Sequence, residues 1–228
     1  MALINTLNDI GNAIREKTGG TELIPLKEMS GAISGISSVP NPLEYATELK
    51  GLFLKAVVET EELVINAPRV TNLTDTFMQL SGAKKITLKG NIAGKSMSFS
   101  STFRQMITVE EIDLTNFLVK PTNIGYLFYN STLLKTIKGE LDFSLITTAI
   151  KNSFLNCRAL EEVRFKANSI KQSINLSSST KLSTTSVQSI IDGLATVETA
   201  QTLTLHRSIV LTDEHKAQIS SKNWTLVQ

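Results

Sequence analysis

The chain has one cysteine in 228 residues, and that scarcity excludes a good deal. Cys157 has no partner for an intrachain disulfide, and alone it cannot build a metal cluster. The two histidines, His206 and His215, stand far from it in sequence and lack a third ligand. A buried structural thiol is expected at Cys157 rather than a nucleophile. An excess of one charge is missing as well: 23 basic against 21 acidic residues leave a net charge of +2. No basic block marks a nucleic-acid partner, and no acidic tail is present. No apolar run approaches the ~20 residues of a membrane-spanning helix, so no membrane insertion is expected. The opening stretch MALINTLNDIGNAIREK lacks the cationic start, apolar core and small-residue cleavage site of a secretory signal, so synthesis in the cytoplasm is expected. A hydrophobic content of 41% suffices for one domain, or one domain with a small appendage.

The first 38 residues read as that appendage. Leu3, Leu7, Ile10 and Ile14 line one face of an amphipathic helix. The turn 18-TGGT-21 stops it, Pro25 suits the first turn of a second helix, and Met29, Ile33 and Ile36 form the second stripe. The segment 37-SSVPNP-42 then reads as a linker. Two short helices bury little alone, so their stripes face each other, the following domain or another chain. A helical hairpin packed on its own chain and a docking or oligomerisation module both fit. The near-heptad spacing suits a trimer or another symmetric homo-oligomer.

A repeat fills the middle of the chain. The frame is an apolar residue, then a phenylalanine four positions on, then apolar residues six, three and two further. It reads Leu73, Phe77, Ala83, Ile86, Leu88, and next Phe99, Phe103, Val109, Ile112, Leu114. The third copy is Ile124, Phe128, Leu134, Ile137, Gly139, and the fourth Ile150, Phe154, Leu160, Val163, Phe165. An imperfect forerunner is Leu49, Phe53, Leu63, Ile65, and a fifth copy is Ile190, Leu194, Ala200, Leu203, Leu205. Each copy predicts a short helix, a turn and a short strand facing one interior. One coil cannot bury that face, whereas stacked coils make a continuous core of parallel strands. The expected fold class is an α/β repeat solenoid, with an internal ladder of Phe77, Phe103, Phe128 and Phe154 beside Ile86, Ile112, Ile137 and Val163. At Gly139 a bulge would let Leu141 and Phe143 take over. The expected divisions are a helical hairpin over 1–38, linker and entry over 39–48, solenoid over 49–182, and an atypical last repeat with cap over 183–228.

The run 160-LEEVRFKAN-168 fits L-x-x-L-x-L-x-x-N, and 83-AKKITLKGN-91 fits it with alanine first. With the phenylalanine turns FYNS and FLNC, the chain resembles the BspA-like subgroup of leucine-rich repeats. The C-terminal 184–228 resembles the closing unit of repeat proteins in tailed phages of Gram-positive bacteria. The N-terminal 7–36 likewise resembles the leading helix-turn-helix of virion and tail proteins from such phages. These resemblances imply a phage tail or baseplate component in the virion, with other tail proteins as partners and a host cell-wall glycan or surface protein as a possible contact. A bacterial surface adhesin of the same repeat family is the alternative; that role normally needs a signal peptide and an anchor. Trp224 and Leu226 are expected to cap the end of the hydrophobic column.

No catalytic constellation, metal set or cofactor site emerges, so an enzyme is not expected. The doublets Glu61-Glu62, Glu110-Glu111 and Glu161-Glu162 recur at matching places, but Lys84-Lys85 holds that place in another coil. Such a row reads as solvated charge pairing between coils. The hydroxyl-rich 177-SSSTKLSTTS-186 reads as a loop entering a helix N-cap. The segment 89-KGNIAGKS-96 misses the phosphate-loop spacing by one residue and precedes no long helix.

Overall fold

The computed structural model describes Leu43 and residues 46–90 and 96–228. The N-terminal stripes of Leu3, Leu7, Ile10, Ile14, Met29, Ile33 and Ile36 lie outside the described residues, as do positions 91–95 of the GKS-like segment.

Among the described residues, ten strands form three separate parallel sheets. The largest holds β1 (Glu62–Asn66), β2 (Lys85–Lys89), β4 (Glu111–Asn116), β6 (Thr136–Leu141) and β7 (Glu162–Phe165), ordered as they occur in the chain. Along these strands the inward residues are apolar and their neighbours mostly charged, which is the period-two pattern of a sheet buried on one face. The register sets Leu63 beside Ile86, Ile86 beside Ile112, and Ile112 beside Ile137. Identical inward positions therefore stack from coil to coil. A second pair, β3 (Ser96–Ser98) and β5 (Lys120–Asn123), lies apart. The third sheet runs β8 (Ile174–Leu176), β9 (Gln201–Leu205) and β10 (Trp224–Val227).

The rings of Phe53, Phe77, Phe103 and Phe128 form one column, with centroids 5.4, 5.4 and 5.7 Å apart and planes within 8° of parallel. Phe154 continues it at 5.4 Å, tilted by 36°. Phe77, Phe103, Phe128 and Phe154 are fully buried, as are Ile86, Ile112 and Val163, and Ile137 is 2% exposed.

The segment carrying each phenylalanine differs from the short helix expected of it. It is a compact turn with left-handed residues four apart: Asp75 and Gln79, Ser101 and Gln105, Tyr126 and Asn130. A helix would keep its N–H bonds within itself. Here alternate N–H groups leave the coil. Phe77 and Gln79 donate to the carbonyls of Thr102 and Arg104 (2.9 and 2.9 Å), and Phe103 and Gln105 to those of Leu127 and Tyr129 (2.9 and 2.7 Å). The N–H groups between them bond three residues back, as Met78 does to Asp75. The left-handed residues are offset by this second line of bonds between coils. Helices whose full extent lies among the described residues occur only near the C-terminus: α1 (Thr184–Gly193) and α2 (Asp213–Ser221).

Buried hydroxyls tie the coils a third time. Thr76 donates to Leu49 O (2.8 Å), Thr102 to Leu73 O (2.9 Å), and Ser131 to Phe103 O (2.6 Å). At Gly139, φ is +90° and a Cβ would sit 2.9 Å from the Leu114 carbonyl carbon. The register of β6 against β7 shifts between Thr136 and Glu140, and Leu141 pairs beside Phe165. Leu141 and Phe143 are both buried there.

The fifth frame needs correcting. Leu203 and Leu205 pair with Ile174 and Leu176 in the third sheet and not with β7, while Ala200 is exposed. The edge of β7 is met by α1 instead: the N–H groups of Val163 and Phe165 donate to Ser186 Oγ (3.0 Å) and Ser189 Oγ (2.9 Å). An open parallel edge invites pairing with other chains, and two serines on a helix satisfy this one. Trp224 and Leu226 stand on β10, at the end of the β8–β9–β10 sheet, and pack on the same apolar core as the phenylalanines; the Trp224 indole donates to Ala195 O (2.8 Å). Lys222 Nζ joins the two helices by bonding the carbonyls of Ile191, Asp192 and Leu194 at the end of α1.

Candidate functional site

Two faces of the stack carry side chains that recur from coil to coil. On the sheet face, charge alternates coil by coil. Lys85 lies 3.0 Å from Glu62 and 3.4 Å from Glu111, and Glu111 lies 2.9 Å from Lys138. Beside it Glu61 pairs with Lys84 (2.9 Å) and Glu110 with Lys135 (2.6 Å). The Thr87 hydroxyl and Lys85 hold the Glu62 carboxyl below its ordinary pKa, and Lys135 does the same for Glu110. At Asp142 burial pushes the pKa up, but bonds from Ser144 and Lys166 outweigh it and hold the carboxylate charged. These groups answer one another across the coils. Where β6 bulges, the face dips into a groove of about 400 Å³ among Lys138, Glu140, Glu162 and Arg164.

The turn flank is different in kind. Met78, Arg104, Tyr129 and Leu155 occupy equivalent places in successive turns, since their carbonyls accept the matching N–H of the preceding coil. The left-handed turn also places Tyr126 on this flank, 42% exposed. The Arg104 guanidinium lies 5.3 and 5.4 Å from the Tyr126 and Tyr129 ring centres, and the two rings meet edge-on at 81°. Arg104 Nε has no hydrogen-bond partner among the described residues. Side-chain amides run alongside: Gln79 donates to Gln105 (3.4 Å) and Asn156 to Asn130 (2.9 Å). Tyrosine, arginine and methionine are the residues enriched at protein interfaces, because they bring large contact area with few polar costs. A rigid row of them on a hydrogen-bonded backbone is preorganised for contact.

The remaining candidates from the sequence are engaged by the chain's own groups, Cys157 in the core and the two histidines at the surface. Cys157 is fully buried, and its thiol donates to Phe128 O (3.1 Å), the role Ser131 plays one coil earlier. Burial pushes the thiol pKa up to about 12, so no thiolate forms near neutrality. Cys157→Ser is expected to fold with stability changed by less than about 1 kcal/mol, since a hydroxyl satisfies the same carbonyl. A melt shifted downward by 10 °C or more would contradict this reading. His206 bonds Ser208 (2.8 Å), and His215 closes the N-cap of α2 at Thr212 while reaching Gln188 of α1 (3.1 Å). In the hydroxyl-rich segment Ser179 bonds Cys157 O and Ser183 caps α1, while Thr180, Thr184 and Thr185 are exposed. Among the described residues no group of three His, Cys, Asp or Glu could hold a metal ion. No described helix is long and apolar enough to cross a membrane.

Sequence reasoning pointed to an exposed flank without resolving the Arg104–Tyr126–Tyr129 cluster. The available signal was the position after each ladder phenylalanine, occupied by methionine, arginine, tyrosine and leucine in turn. Comparison with known proteins finds no matching family model, no similar curated protein and no similar solved structure.

Proposed function

We propose that this chain is a BspA-like leucine-rich-repeat solenoid serving as a non-enzymatic structural protein of a phage tail or baseplate. In this reading residues 1–38 dock into the particle, and the turn flank meets a neighbouring virion subunit or the host surface. The observation that carries the contact role is the row of Met78, Arg104, Tyr129 and Leu155 with Tyr126 beside it, on a flank whose backbone is locked by bonds between coils. The resemblance of both chain ends to phage tail proteins supports the setting.

The test uses particles assembled with altered alleles. Deleting residues 1–38 is expected to remove the protein from purified virions, as read by mass spectrometry. Arg104→Ala with Tyr129→Ala in the full-length chain is expected either to lower incorporation or to slow host adsorption, by about tenfold for the loss of one aromatic–arginine hot spot. Particles that carry the truncated chain normally would refute the docking role. Normal incorporation and adsorption with the double variant would refute the flank.

A further inference from the structure

The turn column ends after its fifth member, and a groove opens where the sixth would stand. Up to that point each turn is followed by another turn of the same shape. After residues 152–156 the chain returns instead as the extended strand β8, whose Ile174 bridges to Ile150 on one side and pairs with Leu203 on the other. An extended strand is flatter than a compact turn, so the fifth turn stands proud as a wall and the outer face of β8 and β9 becomes a floor. The hollow between them measures about 560 Å³, within the roughly 300–1,000 Å³ of small-ligand clefts.

Its lining shares Leu155 with the turn flank but is otherwise unlike both the charge rows and the arginine–tyrosine cluster. The wall presents Lys151, Asn152 and Leu155, and the floor presents Asn175, Thr202 and Thr204. Ser173 is already bonded to Gln201, and the Asn175 carbonyl oxygen accepts the Ser177 N–H. The Asn152 amide, the Asn175 NH₂, the Thr202 and Thr204 hydroxyls and the Lys151 ammonium have no side-chain partner among the described residues. Amides and hydroxyls that both donate and accept match neighbouring ligand hydroxyls, each of which also does both. No carboxylate lines the groove, which leaves it without the anionic oxygen donors of a cation site. One lysine without an arginine fork or a glycine-rich loop is a poor cradle for phosphate. No aromatic ring is there to stack a base.

From this lining we infer that the groove is a saccharide subsite, taking an uncharged oligosaccharide of a surface glycan through Asn152, Asn175, Thr202 and Thr204, with Leu155 against a sugar face. The inference rests on the host-surface reading proposed above and names the ligand class for it. Lys151 sits at the wall and accounts for at most a preference among sugars.

The test is calorimetric titration of the full-length protein with oligosaccharides of two to four residues from the chito, cello, malto and manno series. At least one series is expected to bind with a Kd of millimolar or tighter. Thr202→Val with Thr204→Val keeps shape while removing both hydroxyls, and is expected to weaken that binding about tenfold with the melting temperature unchanged. Should that pair fail to fold, Asn152→Leu replaces it, since Asn152 is exposed and its side chain bonds nothing among the described residues. No binding in any series at ~10 mM, where a millimolar site is largely filled, overturns the inference. So does binding left unchanged by the variants, or binding abolished by Lys151→Ala alone. Failure here with normal particle incorporation removes the saccharide subsite alone; loss of incorporation on truncating residues 1–38 tests the docking reading separately.

Discussion

Phe103→Ala is expected to lower the unfolding free energy by about 3–5 kcal/mol, read as a drop in the urea midpoint at unchanged slope. Phe103 is 0% exposed and touches a ring on each side, at 5.4 and 5.7 Å. Truncation removes the transfer term of the phenyl group and both ring contacts at once. The cavity has little room to close. The flanking coils are held apart by the N–H bonds of Phe77 and Phe103 to Thr102 and Leu127, and by the hydroxyls of Thr102 and Ser131. Phe53→Ala supplies the internal comparison, since that ring is only half-buried and has one stacked neighbour, Phe77. It should cost clearly less than Phe103→Ala. Equal losses at the two sites, or a loss below ~1 kcal/mol at Phe103, would show that the ring column is not the main load on the core.

Gly82→Ala is expected to cost about 3 kcal/mol or more and to expose apolar surface, read by thermal melts and dye binding. Its φ is +95°, a region that alanine rarely enters, and a Cβ would lie 1.9 Å from Val58 O. That neighbour is backbone, and Val58 is itself bonded through its N–H to Ser81 O at 3.0 Å. Relief therefore requires the first coil to slide on the second. Gly51→Ala is the control. Its φ is +63° with no described residue within 4 Å of the added Cβ, so the left-handed cost of ~1–2 kcal/mol is the one that applies. Asp75, Ser101 and Tyr126 already adopt that conformation at the same place in later turns. A Gly82→Ala protein as stable as Gly51→Ala would show that the coils yield at this contact.

How much of this was readable in advance depends on which residues are asked. Phenylalanines at 77, 103, 128 and 154 with an I-x-L or V-x-F strand after most of them carry enough periodicity to locate a stacked interior without coordinates. Charge alternation between Glu61-Glu62, Lys84-Lys85 and Glu110-Glu111 was legible for the same reason, because equivalent places in stacked coils must be neighbours. The helical reading of residues such as 99–103 failed because apolar residues four apart fit one face of a helix and also fit an alternating left-handed turn. Local spacing does not distinguish them; the destination of the N–H groups does.

The C-terminal frame failed for a related reason. Ile190, Leu194, Leu203 and Leu205 keep the internal spacing, yet the helix between Thr184 and Gly193 turns aside to seal β7 with Ser186 and Ser189. Serine hydroxyls carry no period that marks them as edge caps. The groove beside the fifth turn has no sequence signature either, since Asn152 and Thr204 are 52 positions apart in the chain.

Residue by residue, then, the sequence determined what repeats: the buried rings, the inward aliphatics and the alternating charges. Those properties belong to single positions recurring at a nearly constant spacing, so one coil predicts the next. Only the tertiary structure decided what breaks the repeat: the inter-coil bonds of the turns, the sealed edge of β7, the Arg104–tyrosine cluster and the groove at the last turn. Each of these depends on which coil lies beside which, and hydrogen bonds between residues about 25 positions apart leave no local trace in the order of amino acids.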